Sequence, residues 1–411
     1  MRATAGVKGV FRRQLCYNRA MTILDDAGPQ AGDSVVVGLS GGVDSTMAAV
    51  LLQEKGCRVV CATMSVWQGA PLPEGANVPD SCYSPHEIED IEENTLFCAE
   101  RGIPFYVVDV KSTYQRMVLD YFKREYRQGR TPNPCVVCNR HVKFGALLEG
   151  LVKLGVRYDW FCTGHYARVV HTTEPLATLY GDDSSEDPRG QCHPALIARA
   201  LDATKDQSYF LHRIPSSVLE RVHFPLAPYT KREVVAMARQ RGLAAALKAE
   251  SQDFMPKDRR DALFEDQPPL AGDFVDTQGN VLGRHKGIEH YTVGQRRGLG
   301  VCGAAPLYVV RIEPKANRVV LAGEDELFCR SVVLEDLVWP GGFAPQCAFR
   351  ACVKIRAASR PQAALVTPHE GGGCDVVFDE DVRAACPGQA AVFYKEGVVI
   401  GGGIISTNGL L

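Results

Sequence analysis

One segment, Gly38-Leu39-Ser40-Gly41-Gly42-Val43-Asp44-Ser45, constrains this chain more than any other. It follows Ser34–Leu39, a short and almost wholly apolar run that reads as a buried strand, and it opens a helix predicted over Val43–Lys55. Gly56 then stands where a helix wants a residue that accepts a left-handed backbone. Arg58–Met64, Pro104–Val110 and Tyr158–Thr163 read as further strands. Ser84-Pro85-His86-Glu87 reads as a capping box that opens another helix, and so does Thr230–Glu233, whose helix runs to near Gly242. Strand, Gly-rich turn, helix, strand, joined by right-handed crossovers, predicts an α/β doubly wound parallel sheet.

A chain of 411 residues exceeds one ordinary core. The patterning divides it into an N-terminal extension without order (1–30), the α/β domain (31–225), a small central domain (226–300) and a C-terminal β-barrel (301–411). The last is read from short alternating strands with Gly and Asn turns after about Leu307. The acidic, Ser-rich stretch Gly181–Gln191 reads as a surface loop. Hydrophobic residues at 45% and charged residues at 23% are the composition of a globular protein, and no apolar run approaches the roughly 20 residues that span a bilayer. A formal net charge of -2 leaves any nucleic-acid partner to local basic patches. Fifteen cysteines without disulfide-like spacing predict a reducing, cytoplasmic setting. Arg2, Arg12, Arg13 and Arg19, with no acid before Asp25, have the character of a mitochondrial presequence, or of a leader ahead of a start at Met21.

The Gly-rich loop carries the first chemistry. Glycines let backbone N–H groups approach an anion, the helix start favours phosphate, and Ser40 and Ser45 add hydroxyl donors. Asp44, an acid beside the phosphates, suits an indirect contact through Mg²⁺. No GK[ST] follows, so this is not the Walker loop; SGGVDS resembles the PP-loop of the ATP pyrophosphatases, which cleave ATP between the α- and β-phosphates. That loop by itself is equally compatible with an ATP-dependent ligase acting on a small molecule.

Further segments are similar, in order and from about Asp33 to the end, to the bacterial-type tRNA-specific 2-thiouridylases. They are Thr131-Pro132-Asn133-Pro134-Cys135-Val136-Val137-Cys138-Asn139, Thr163-Gly164-His165-Tyr166, Lys205-Asp206-Gln207-Ser208, Gly294-Gln295-Arg296-Arg297-Gly298, Pro387-Gly388-Gln389 and Gly401-Gly402-Gly403. The resemblance implies ATP and Mg²⁺ as reactants and tRNA as substrate, with a separate protein donating persulfide or sulfide. It implies phosphate and adenosine contacts at Gly38, Leu39, Ser40, Gly41, Gly42, Val43, Asp44, Ser45, Met64 and Gly164. It places the target uridine at Asn133, Pro134 and Cys135, and tRNA contacts in the central domain and at Lys205, Asp206, Gln207 and Arg356. The basic clusters Lys123-Arg124, Arg284-His285-Lys286 and Arg296-Arg297 are further phosphate candidates, each equally readable as plain solvated surface. Lys354 and Arg356 alternate with apolar residues and are expected to share a strand face, either solvated or docked on RNA backbone.

The chain departs from the family pattern in two places. Cys135 stands where better-known members carry Asp, and Met255 stands where they carry a second catalytic cysteine. A thioether neither carries a persulfide nor resolves a disulfide, so the family's two-cysteine relay cannot run in its usual form. Cys138 remains the expected sulfur carrier, with its thiolate favoured by Arg140 and by a helix N-terminus. Three readings of Cys135 stay open: it resolves the persulfide of Cys138, it joins Cys138 in ligating an iron–sulfur cluster, or it only replaces the acid. A tRNA-binding protein without thiolation is motivated by Met255 alone, and the intact SGGVDS argues against it.

Overall fold

The computed structural model describes residues 22–69, 81–182, 185–248, 254–255, 260–301, 303 and 305–407. The possible presequence and Glu250–Asp253 lie outside the described residues.

Five parallel strands form the sheet that carries the Gly-rich loop, in the spatial order Phe105–Asp109, Arg58–Ser65, Ser34–Gly38, Trp160–Thr163, Val222–His223. In chain order this is 3-2-1-4-5, a doubly wound arrangement. The strand order reverses between Ser34–Gly38 and Trp160–Thr163, and the crevice at the carboxyl ends of those two strands is where such sheets bind ligands. Alternation along Ser34–Gly38 explains why both faces are covered. Val35 and Val37 pack with Met47 and Val50 of the helix Val43–Glu54, while Val36 packs on the opposite side with Val118, Leu147 and Leu151. All three valines are buried.

The two capping boxes read from sequence part company. Around Thr230 the box is complete, with Thr230 accepting from the Glu233 N–H and Glu233 closing back on the Thr230 N–H. At Ser84 it is absent, and the helix spans Glu87–Glu100 with no side-chain cap. Glu87 instead accepts from the N–H groups of Val66 (2.7 Å) and Trp67 (2.9 Å) and from the Ser65 hydroxyl (2.8 Å). Those donors leave the end of a central strand and have no ladder partner, so they outcompete the helix's own first turn.

Nine antiparallel strands form the largest sheet. Six of them, Phe328–Val338, Phe349–Lys354, Gln362–Pro368, Cys374–Arg383, Ala390–Lys395 and Val398–Ile405, close into a barrel because Val398–Ile405 pairs with both Ala390–Lys395 and Phe328–Val338. Leu196–Arg199, Ala167–Thr172 and Ile23–Asp25 extend it outward from Val398–Ile405. Three expectations are corrected here. Ile23–Asp25, placed in an extension without order, is a strand on Ala167–Thr172. Two strands from inside 31–225 belong to the barrel's sheet rather than to the parallel one. The strands just after Leu307, Tyr308–Glu313 and Arg318–Ala322, join Gly272–Val275 and Val281–His285 in a separate four-stranded middle sheet, so the barrel starts at Phe328. Alternation predicts a strand, and partner choice is decided by contacts far away in the chain. No helix among the described residues is long and apolar enough to cross a membrane.

Candidate active site

At the switch point the Gly-rich loop is held by its own side chains. The Ser45 hydroxyl accepts from the Ser40 N–H and donates to the Gly42 carbonyl, both at 3.1 Å, and Thr46 donates to the same carbonyl at 3.0 Å. Gly41 sits at φ +79°, a region that favours glycine, and Gly42 is the extended N-cap of the helix with no side chain capping it. The helix start is thereby left to an outside acceptor, as phosphate binding requires. Gly164 closes the crevice from the neighbouring strand. A Cβ there would lie 2.5 Å from the Ser45 nitrogen and 2.6 Å from the Asp44 carbonyl carbon. Met64 is the penultimate residue of the strand on the other side, Arg58–Ser65, and packs against the same core as Cys138.

Asp44 has a partner that the sequence reading missed. Lys231 Nζ lies 2.8 Å from each Asp44 carboxylate oxygen, and the Tyr166 hydroxyl donates to Oδ1 at 2.9 Å. Lys231 is the first residue after the Thr230 cap. A cation in the first turn opposes the helix dipole, and this was the one available signal that an acid must face it. Loop amides, two hydroxyls and a lysine beside a carboxylate suit a nucleotide polyphosphate. Asp44 would hold Mg²⁺ there, and the ion would supply charge neutralisation at the leaving pyrophosphate.

Cys135 and Cys138 lie on the short helix Pro134–Cys138, at a three-residue spacing that puts both on one face. Asn133 caps it, accepting from the Val136 N–H at 3.4 Å. The loop ahead of it is clamped from the far end of the chain. The Thr131 N–H donates to the Pro387 carbonyl (2.8 Å), and Gln389 Nε2 donates to the carbonyls of Thr131 (2.9 Å) and Pro132 (3.2 Å). Gly388, at φ +89°, lies so close that a Cβ would be 3.0 Å from Thr131 backbone atoms. The Pro387-Gly388-Gln389 segment therefore positions the cysteine loop.

The expected thiolate activation is corrected. Burial, with a smaller contribution from a nearby Cys82 sulfur, pushes the Cys138 thiol up to about 11 and the Cys135 thiol up to about 12. The cation that opposes this is Lys143, not Arg140. Arg140 turns away, donating to the Arg213 carbonyl at 2.6 Å, while Cys138 lies in the second turn of a helical run that continues past it through Asn139–Ala146 to Lys153. Cys82 is a third sulfur that sequence reading passed over. Its neighbour Tyr83 stacks on Tyr114 (5.4 Å between ring centres) and donates its N–H to the Phe254 carbonyl at 3.0 Å, beside buried Met255. Among the described residues no three His, Cys, Asp or Glu side chains are gathered as a metal site, so an iron–sulfur cluster on Cys135 and Cys138 finds no third protein ligand there.

The residues expected to touch tRNA divide. Asp206 is tied inward, accepting from Arg199, the Ala200 N–H and Ser208, and Gln207 accepts from the Tyr166 N–H at 2.9 Å. Lys205 is half-buried beside them. Arg356 donates to the carbonyls of Val293 (2.9 Å) and Ala384 (2.8 Å), joining the middle sheet to the barrel. Lys354 is buried over the Tyr209 ring, so the shared exposed strand face is not formed. Lys123 is paired with Asp266 and Arg284 with Asp273, while Arg296 and Arg297 are exposed.

Three family models match the chain. They are described as a tRNA methyl transferase HUP domain over residues 33–255, a tRNA methyl transferase PRC-barrel domain over 260–323 and an aminomethyltransferase beta-barrel domain over 329–405. Curated relatives carry a different chemistry in their names. The chain is 39% identical to the tRNA-specific 2-thiouridylase MnmA of Endomicrobium trichonymphae, over 90% of this chain and 98% of that protein. It is 40% identical to the protein of that name from Roseiflexus sp. (strain RS-1), over 90% of this chain and 99% of that one. Against that of Chloroflexus aurantiacus (strain ATCC 29366 / DSM 635 / J-10-fl) it is 41% identical, over 91% and 98%.

Proposed function

The chain belongs to the tRNA-specific 2-thiouridylase family, and from that premise we propose that it thiolates the wobble uridine of lysine, glutamate and glutamine tRNAs through an adenylated intermediate. It is a PP-loop enzyme that puts sulfur on a tRNA uridine. The wobble position and the tRNA set follow the family resemblance, and the observation that supports joining nucleotide and sulfur chemistry in one site is a shared core. Met64, at the nucleotide end of one strand, and Cys138, on the sulfur helix, both pack against it.

The uridine O2 attacks the α-phosphate of ATP and pyrophosphate leaves. Backbone amides at Gly41–Ser45 and the Lys231 ammonium stabilise the charge that develops on the phosphates. The terminal sulfur of a persulfide on Cys138, loaded by a donor protein, then attacks C2. The C2–O bond breaks, AMP leaves with the oxygen, and the new sulfur joins C2 to Cys138 Sγ. Cys135, on the same helix face, attacks Cys138 Sγ; the bond to the transferred sulfur breaks and 2-thiouridine is released. A Cys135–Cys138 disulfide remains, and an external dithiol reduces it. Burial raises both thiols, which favours their neutral, less oxidisable form.

The test is reconstitution with ATP, Mg²⁺, a tRNA transcript and a persulfide donor, read by mass spectrometry of the digested tRNA. Product confined to the wobble uridine and lost in Cys138→Ser is expected. Thiolation at another uridine, or undiminished activity of Cys138→Ser, refutes the reading.

A further inference from the structure

Arg140 leaves the cysteines to other residues, and where it goes defines a second site. Behind the cysteine helix, against the barrel, lies a cavity of about 420 Å³ whose wall includes Arg140, His212, Arg213, Ser216, Trp339 and Val399. Arg140 and Arg213 are held together: Arg140 donates to the Arg213 carbonyl at 2.6 Å, and burial, followed by the nearby Arg213 charge, depresses the Arg140 pKa. Against these two guanidiniums stands one carboxylate, Asp336, paired to Arg213 at 2.8 Å. His212 adds no charge. Its Nδ1 is 2.7 Å from the Tyr209 carbonyl and so must carry the proton, and burial holds its pKa down at about 3. The cavity therefore keeps a surplus positive charge in partly desolvated surroundings, which is costly unless an anion shares it. Trp339 packs on Phe393 and Tyr180 (ring centres 5.7 and 5.9 Å) while lining the cavity, so it offers a rigid aromatic surface.

We infer that this cavity binds one nucleotide of the tRNA strand that carries the target uridine, with its phosphate on Arg140 and Arg213 and its base against Trp339. A planar, apolar group attached to a phosphate is the ligand that uses all three features, and stacking plus a guanidinium contact is how proteins hold unpaired RNA. Position argues for the substrate strand. Arg140 is two residues beyond Cys138, so the cavity and the sulfur lie on opposite flanks of one helix. A helix is about 10–12 Å across with its side chains, a span that a strand whose uridine is flipped onto one flank covers within one or two nucleotides.

The inference rests on the tRNA reading, and one titration separates the two. Binding of unmodified tRNA is measured over about 50–200 mM salt for wild type, Arg213→Ala, Arg213→Lys and Ser217→Trp, the last filling the cavity from its exposed rim. Arg213→Ala should weaken binding on the order of 10-fold. It should also make the slope of log K against log salt shallower by about 0.7, one phosphate contact to a single strand. Arg213→Lys should keep the slope, and Ser217→Trp should lose it as Arg213→Ala does. A purely structural role for Arg213 would weaken binding without changing the slope and overturns the inference. So does an unchanged affinity in Ser217→Trp. Uridine monophosphate bound by wild type but not by Arg213→Ala, with the tRNA slope unaltered, would assign the cavity to a free nucleotide instead. Failure of wild type to bind tRNA at all overturns both readings.

Discussion

Gly164→Ala tests the crevice at the reversal of the parallel sheet with a single methyl group. The residue's φ lies outside the left-handed region, so alanine meets no backbone objection. The objection is steric. The new Cβ would stand 2.5 Å from the Ser45 nitrogen, 2.6 Å from the Asp44 carbonyl carbon and 2.9 Å from the Ser45 Cα. Carbon contacts are comfortable at about 3.5 Å, so roughly 1 Å must open between strand and helix start. All three obstacles are backbone atoms and none can swing aside. Overpacking of this kind costs about 1–3 kcal/mol, seen as a fall of a few degrees in Tm. Displacing phosphate-binding amides by about 1 Å costs on the order of 10²-fold in rate. Pyrophosphate release in the presence of tRNA should show a raised KM for ATP and a lowered kcat together. Gly323→Ala is the control, since no atom lies within 4 Å of its added Cβ, and it should match wild type. A Gly164→Ala enzyme with wild-type Tm, KM and kcat would refute the close approach and the phosphate site built on it.

Lys231→Met should lower ATP cleavage by about 10²–10³ and leave tRNA affinity unchanged; a rate within about threefold of wild type would reduce Lys231 to a helix-start tether. Iodoacetamide alkylation of Cys138 should keep accelerating as pH rises past 9 towards about 11, because burial favours the neutral thiol, and Cys82→Ser should move that midpoint down by removing a neighbouring negative charge; a plateau reached near pH 9 would contradict the buried setting. Cys135→Asp should stop turnover after the first product, and adding Met255→Cys should recover part of it. Steady multiple turnover by Cys135→Asp alone would remove the resolving role.

Local signals carried the parallel sheet, and long-range ones did not survive in the sequence. Ser34–Leu39 and the Gly-rich turn specify a buried strand and a helix start by themselves, because both depend on residues within a few positions. Thr230–Glu233 and Ser84–Glu87 look alike as strings, yet only the first caps a helix, since Glu87 is claimed by strand-end amides some twenty residues earlier in the chain. Lys354 reads as one side of a polar strand face and is buried, because the strand's neighbour is the Tyr209 ring. At the site, the cysteine pair and the phosphate loop were legible as motifs. Cys82 was not, because its segment spells no motif, and Lys231 was not, because the capping box around it reads as local helix chemistry and says nothing of Asp44, 187 residues away.

The clamp on the cysteine loop sets a schedule for the growing chain. Gln389 holds the Thr131 and Pro132 carbonyls across more than 250 intervening residues, and Val398–Ile405 is the strand that closes the barrel. At about 5–20 residues per second, a ribosome takes tens of seconds to deliver the clamp after the cysteines have emerged. Until then the Gly38–Ser45 loop has its own Ser40, Ser45 and Thr46 contacts, and the cysteine loop has Phe210 and Arg213 but lacks its clamp. The Gly-rich loop can therefore take its shape on the nascent chain before the cysteine loop is clamped. Release after the parallel sheet is complete but before Pro387 yields a fragment that keeps the Gly-rich loop and lacks the residues that seat the cysteine loop.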